Sequence, residues 1–149
     1  MKQIAQVALM LLAVACNNSG SHSSATAKKT TDSLMDAVMQ GHNVGMAKMN
    51  KVSEAQKKIQ QVIDSISSLP ATLQKQSLAY KTQLDAMLVR LRNAADAMNR
   101  WMEEFNLDSD VNNTELRIKY LESERTKVSN VKDSMISSLR DADSLLKRF

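Results

Sequence analysis

The chain has 149 residues, a formal net charge of +4 at pH 7, and only three glycines, one proline and two phenylalanines. So few turn-forming and aromatic residues argue against a β-sheet protein, and a body rich in Ala, Leu, Met, Lys and Gln favours helices throughout. Lysine and arginine alternate with aspartate and glutamate along the chain, which argues against a nucleic-acid-binding surface.

The first residues have the layout of a secretory signal. Lys2 precedes an apolar run over residues 4–14, and small residues lead from this run to Cys16, the only cysteine. The run is too short to span a bilayer, since a spanning helix needs about 20 apolar residues. The pattern resembles the lipobox of bacterial lipoproteins, so we predict a signal peptide over residues 1–15 and a covalent lipid on Cys16. Acylation also accounts for an unpaired cysteine in an exported protein.

The segment after the cysteine predicts a tether. Asn17 to Ala27 is rich in Ser, Asn and Gly and has no large apolar residue, so we expect residues 16–29 to form the acylated cysteine and a disordered tether. Asn17, rather than Asp, follows the cysteine, which by the common sorting rule indicates the outer membrane. We therefore expect a lipid-anchored protein of the cell envelope that faces the periplasm.

Hydrophobic periodicity predicts three long amphipathic helices, each with one apolar stripe in steps of three and four residues. Short connections imply antiparallel neighbours around one core. We predict an all-α, up-down-up three-helix bundle of coiled-coil character over residues 30–149, preceded by the signal peptide and the tether. The predicted helices cover about residues 31–67, 70–106 and 113–148.

Capping residues mark the predicted helix ends. The first helix should begin near Thr30 to Ser33, whose hydroxyl and carboxyl groups can accept from free backbone N–H groups. Pro70 should separate the first two helices, because proline cannot continue a helix but suits the start of one. Asn112 and Glu115 have the spacing of a capping box for the third.

One side of the first helix carries methionines and a histidine, and a second group follows in the second helix. If the chain reverses near residue 69, positions whose numbers sum to about 138 face each other, which brings the two groups together. Thioether and imidazole donors suit Cu(I) or Ag(I), and the Trp101 indole can add a cation–π contact. The predicted metal ligands are His42, Met35, Met39, Met46, Met98 and Met102.

Two other interpretations of this stripe stay open. Methionine is a flexible core filler, so the stripe can be simple packing. It can also be an adaptable surface that receives a partner helix, with Trp101 as a contact residue. Gly41 and Gly45 beside His42 predict a weak point in the helix or the close approach of another backbone.

The segments MDAVMQGHNVGMAKMNKV (Met35 to Val52) and DAMNRWMEEF (Asp96 to Phe105) resemble small helical lipoproteins of the Bacteroidota, sometimes labelled "viral A-type inclusion protein". The label implies no viral role. The family pattern is His-Asp-x-x-Met-Pro-x-Met in the first helix and Met-x-x-Trp-Met in the second. Here Asn43 replaces the Asp and Ala47 replaces the Pro. The resemblance implies a helical fold and an envelope location, and it supplies no biochemical activity. The matching positions are His42, Met46, Met49, Met98, Trp101 and Met102.

Catalytic motifs are not evident. His42 is the only histidine of the predicted bundle, and the chain has no Gly-rich phosphate loop or nucleophile motif. We therefore predict a non-enzymatic binding or structural module of the envelope, with the lipid on Cys16 and no other cofactor. The alternative is a periplasmic Cu(I)/Ag(I)-binding protein. The expected partners are the membrane, through the lipid, and an envelope protein, but not nucleic acid. The stripes also permit pairing between chains, so a homo-oligomer stays open.

Overall fold

The computed structural model describes the backbone of residues 19–148 and the side chains of residues 26–148, so the predicted signal peptide and Cys16 lie outside the described residues. The described chain forms three helices and no strand. Each helix packs against the other two, which confirms the predicted all-α three-helix bundle. The helices are α1 (Ser19–Ser67), α2 (Ala71–Glu104) and α3 (Thr114–Leu146).

Consecutive helices run in opposite directions. After the reversal between α1 and α2, His42 of α1 contacts Met102 near the far end of α2. Tyr80, near the start of α2, donates a hydrogen bond to the carbonyl of Leu145 near the end of α3. The first and third helices are therefore parallel, and Gly41 of α1 lies against α3.

The core follows a seven-residue spacing. On each helix, residues seven positions apart are at most 1% exposed, which is the spacing that keeps one seam facing its partners in a coiled coil. In α1 this series includes a glycine, Gly45, which is itself buried. A side chain from another helix must therefore fill that layer. The series are Val38, Val52 and Ile59; Leu84, Leu91 and Met98; and Leu121, Val128 and Met135.

The start of α1 differs from the prediction. The helix begins at Ser19, so the predicted start near Thr30 is wrong, and residues 19–29 of the predicted tether are helical. Thr30 and Thr31 do not cap the helix. Their hydroxyls donate to the carbonyls of Thr26 and Lys28 at 3.0 and 2.8 Å. Threonine can satisfy its hydroxyl in this way inside a helix, so α1 can continue both before and after Thr30 and Thr31.

The turn between α1 and α2 is the predicted one. Pro70 is the residue immediately before α2, with φ −55°. The Gln74 side-chain amide donates to the carbonyls of Ser67 and Leu69 at 2.9 and 2.7 Å. It thereby satisfies acceptors that the end of α1 leaves free.

The cap of α3 lies one residue later than predicted. The Asn113 side chain accepts from the backbone N–H of Leu116 at 3.1 Å, so the predicted capping role of Asn112 is wrong. Asn113 has the extended backbone that a capping residue needs, with φ −132° and ψ 101°. The connection also contains Asp110 with φ 54°, a left-handed conformation that Asp and Asn tolerate better than most residues.

Candidate functional site

His42 lies half-buried on α1 where this helix meets the end of α2. Its Nδ1 is 3.1 Å from Asn43 Oδ1, and its Nε2 is 3.2 Å from Met102 Sδ. An amide oxygen only accepts hydrogen bonds, so in the neutral imidazole this contact places the proton on Nδ1. The Nε2 lone pair then faces the thioether sulfur. A nitrogen and a sulfur donor atom from different helices are thus in contact.

The Trp101 indole forms one wall of this site. Its ring centroid is 5.7 Å from that of His42, at an interplanar angle of 36°. Phe105 stacks on Trp101 at 5.0 Å, and Tyr120 stacks on Phe105 at 6.2 Å. Trp101 is only 5% exposed, so this stack holds the indole in one place beside His42.

A buried carboxylate fixes the other edge of the indole. Trp101 Nε1 donates to Glu124 Oε2 at 2.9 Å, and Lys127 Nζ donates to Glu124 Oε1 at 2.8 Å. Glu124 is 4% exposed. The hydrogen bond to Glu124 and the negative charge of that carboxylate raise the pKa of Lys127. Hydrogen bonds to an ionised carboxylate are stronger than those between neutral groups, so Glu124 holds the indole firmly.

Gly45 explains why Met98 lies in the core. A Cβ at Gly45 would overlap Met98 Cε, so the Met98 side chain fills the layer that the glycine leaves empty. Met98 is fully buried, and Met135 Sδ lies 3.7 Å from the same position. The sequence predicted that Met98, Trp101 and Met102 lie beside Met35, Met39 and His42. The structure places Trp101 and Met102 beside His42, but Met98 packs against Gly45.

Of the five predicted methionine ligands, Met102 is the one whose sulfur contacts a ring nitrogen of His42. Met39 and Met46 each lie about one turn from it on α1, and each is about a third exposed. Met35 lies two turns away and lines a different groove, shared with Arg117 of α3. Of the six predicted ligands, the structure places His42 and Met102 in direct contact, with Trp101 beside them.

Sequence reasoning missed Glu124 and Lys127. A signal for Glu124 was present, because the buried stripe of α3 steps from Leu121 to Glu124 to Val128 in threes and fours. A charged residue on such a stripe needs a buried partner. The partner here is the N–H of Trp101, the only tryptophan.

A separate groove lies between α1 and α3. It has a volume of about 450 Å³, an apolar floor and a rim with more basic than acidic residues. It contains neither histidine nor methionine, so it is separate from the His42 site. Its lining residues include Lys48, Lys51, Lys58, Ile136, Leu139 and Arg140.

Comparisons with known proteins give no relative for this chain: no family model, curated protein or solved structure matches it. The described residues contain no group of three or more His, Cys, Asp or Glu side chains placed to hold a metal ion. No described helix combines the length and hydrophobicity that crossing a bilayer requires.

Proposed function

We propose that this chain is a non-enzymatic envelope lipoprotein whose bundle binds a soft monovalent cation, Cu(I) or Ag(I), between His42 and Met102. The observation that carries the proposal is the 3.2 Å contact between His42 Nε2 and Met102 Sδ, with the Trp101 ring beside them. Imidazole and thioether are ligands of soft ions, and an indole face attracts a cation. Met102 is 37% exposed and its side chain is flexible, so a small rotation admits an ion between the two donor atoms.

The same proposal places the site at a membrane surface. Residues 1–15 act as the signal peptide, and the lipid on Cys16 anchors the mature chain in the outer membrane facing the periplasm. The helix begins at Ser19, a few residues after Cys16, so the tether is short and the bundle stays near the lipid. In an oxidising envelope a thioether remains a usable ligand where a free thiol forms disulfides.

Thermal unfolding tests the cation site. The full-length chain with Cys16→Ser, which removes the competing thiol, is heated with and without Ag(I) in chloride-free buffer. A ligand that binds only the folded state stabilises it by about 2.7 kcal/mol at a free concentration of 100 times Kd. We expect a rise in Tm that is lost in His42→Ala and Met102→Leu. Met87→Leu is the matched control, because Met87 lies on α2 with Met102 but far from His42. This variant should keep the rise in Tm.

Two outcomes would contradict the cation site. One is an unchanged Tm in the presence of Ag(I). The other is a rise that persists in both His42→Ala and Met102→Leu, since the ion would then bind elsewhere.

Metabolic labelling tests the anchor. Cells that express the full-length chain are fed a labelled fatty acid, and the protein is followed through membrane fractionation. We expect label in the outer-membrane fraction and none in Cys16→Ser. An unlabelled wild-type chain would exclude the lipid.

A protein partner is the second candidate, because the surface around His42 is apolar and exposed. Met39, Met46 and Met102 are each 36–37% exposed, and flexible methionines adapt to partners of different shape. A photo-crosslinking side chain at Met39 should then trap an envelope protein or a second copy of this chain. The same side chain at Val89, an exposed position of α2 (52%), is the control and should trap neither.

A further inference from the structure

The hydrogen bond that Glu124 accepts from Trp101 does not require a charged acceptor. A buried tryptophan N–H needs an acceptor, and a neutral amide oxygen would serve. A buried carboxylate instead loses its hydration, which opposes folding unless the charge is well paired. Glu124 nevertheless lies 4% exposed against Trp101, with one lysine at its solvent side. Packing and the hydrogen bond to Trp101 therefore do not explain why this residue carries a negative charge.

The cation site lacks a negative charge of its own. The neutral imidazole of His42, the thioether of Met102 and the indole of Trp101 are all uncharged ligands. A monovalent ion held by them would bring a full positive charge into a half-buried site. An opposite charge nearby lowers the free energy of such an ion, most strongly where water is partly excluded.

We propose that Glu124 is a positioning residue that supplies the counter-charge for the bound cation and acts through Trp101. This inference rests on the proposed cation site. The carboxylate holds the indole by its N–H edge at 2.9 Å, while the ring lies 5.7 Å from that of His42. Negative charge at the N–H edge also raises the electron density of the ring, which strengthens a cation–π contact.

Lys127 is the positive charge that pairs with Glu124. Its side chain is 56% exposed, so it can turn into solvent when an ion arrives. Its pairing with Glu124 competes with the ion for the same negative charge. Removing the positive charge of Lys127 should therefore tighten ion binding, whereas removing the negative charge of Glu124 should weaken it. A purely structural role predicts no such opposite effects, because both substitutions break the same ion pair.

Tryptophan fluorescence provides the measurement, since Trp101 is the only tryptophan in the chain. The full-length chain with Cys16→Ser is titrated with Ag(I) in chloride-free buffer, and quenching gives the apparent Kd. We expect Glu124→Gln to raise this Kd on the order of tenfold, as loss of one opposite charge within about 10 Å predicts. Lys127→Gln should lower it several-fold. Glu122→Gln makes the same charge change at an exposed position of α3 and should leave it unaltered.

The possible results of the titration distinguish failure of the counter-charge role from failure of the cation site. If the wild-type fluorescence does not respond to Ag(I), the cation site and the role of Glu124 both fall. If the wild type responds but Glu124→Gln and Lys127→Gln bind with the wild-type Kd, the site stands and the counter-charge is refuted. Should circular dichroism show Glu124→Gln unfolded, Lys127→Gln decides alone, because the glutamine amide at this exposed position can still donate a hydrogen bond to Glu124. A Kd in Lys127→Gln that is no lower than the wild-type value then refutes the counter-charge.

Discussion

Gly45→Ala should destabilise the bundle although alanine is the better helix former. The exchange gains about 1 kcal/mol of helix propensity. The new Cβ, however, would overlap Met98 Cε and approach Met135 Sδ at 3.7 Å, in a layer where both methionines are fully buried. Inserting one carbon into a well-packed core typically costs about 1–3 kcal/mol. We expect a net loss of about 1 kcal/mol, or a fall in Tm of roughly 3–5 °C for a chain of this size.

A second substitution, Met98→Leu, should turn the effect of Gly45→Ala on stability from a loss into a gain. Met98→Leu removes the Cε atom that a Cβ at position 45 would meet, and such a conservative exchange costs less than about 1.5 kcal/mol by itself. In that background Gly45→Ala should stabilise by up to about 1 kcal/mol, because only the propensity gain remains. The double-mutant cycle should therefore give a coupling energy of about 2 kcal/mol.

Urea unfolding followed by far-UV circular dichroism measures all four chains. Ser53→Ala, at an exposed position of α1, is the control for helix propensity alone and should stabilise slightly. The reasoning is refuted if Gly45→Ala stabilises the wild-type chain by about 1 kcal/mol. It is also refuted if the effect of Gly45→Ala is the same with Met98 and with leucine at that position.

Three further predictions concern the ends and junctions of the helices. Asn113→Ala should cost about 1 kcal/mol in urea unfolding because it removes the cap of α3, whereas Asn112→Ala should change stability by less than about 0.5 kcal/mol. Arg90 hydrogen-bonds Asp141 across α2 and α3 at 3.1 Å and lowers the pKa of that carboxyl. A lowered pKa gives stability that is present above the unfolded value of about 3.9 and is lost as the pH falls through the folded value, so Asp141→Asn should flatten acid unfolding below about pH 4. Tyr80→Phe should cost about 1 kcal/mol and speed amide hydrogen exchange in the last turn of α3, whose carbonyl the hydroxyl binds.

The fold was predictable because its strongest signals are local. Apolar stripes in steps of three and four residues predicted three amphipathic helices, and Pro70 marked the reversal between the first two. Both signals depend on covalent chemistry or on side-chain periodicity, which a single sequence displays directly. The start of α1 was not predictable in this way, because Ser and Thr favour caps and turns but are tolerated inside a helix.

The position of the methionine stripe could not be read from hydrophobicity. Methionine counts as apolar in a periodic pattern and glycine counts as a break, so the pattern centred the buried face of α1 on the Met and His residues. The structure centres it on Val38, Gly45 and Val52, with side chains of the other helices entering at the glycine. This rotation moves Met39 and Met46 to the edge of the buried face. A glycine position can be a break in the buried face or a core layer that a side chain from another helix fills. The partner helices determine which of the two it is.

The methionines differ in burial, and this difference bears on the function proposed for the His42 site. Packing accounts for Met98 and Met135, which are fully buried around Gly45. Met102 differs from them, because it is 37% exposed and its sulfur lies against an imidazole nitrogen. The proposed cation site would use these two adjacent atoms as ligands. Gly45 lies three residues from His42 on α1, so its contact with Met98 and the contact of His42 with Met102 belong to the same part of the interface between α1 and α2.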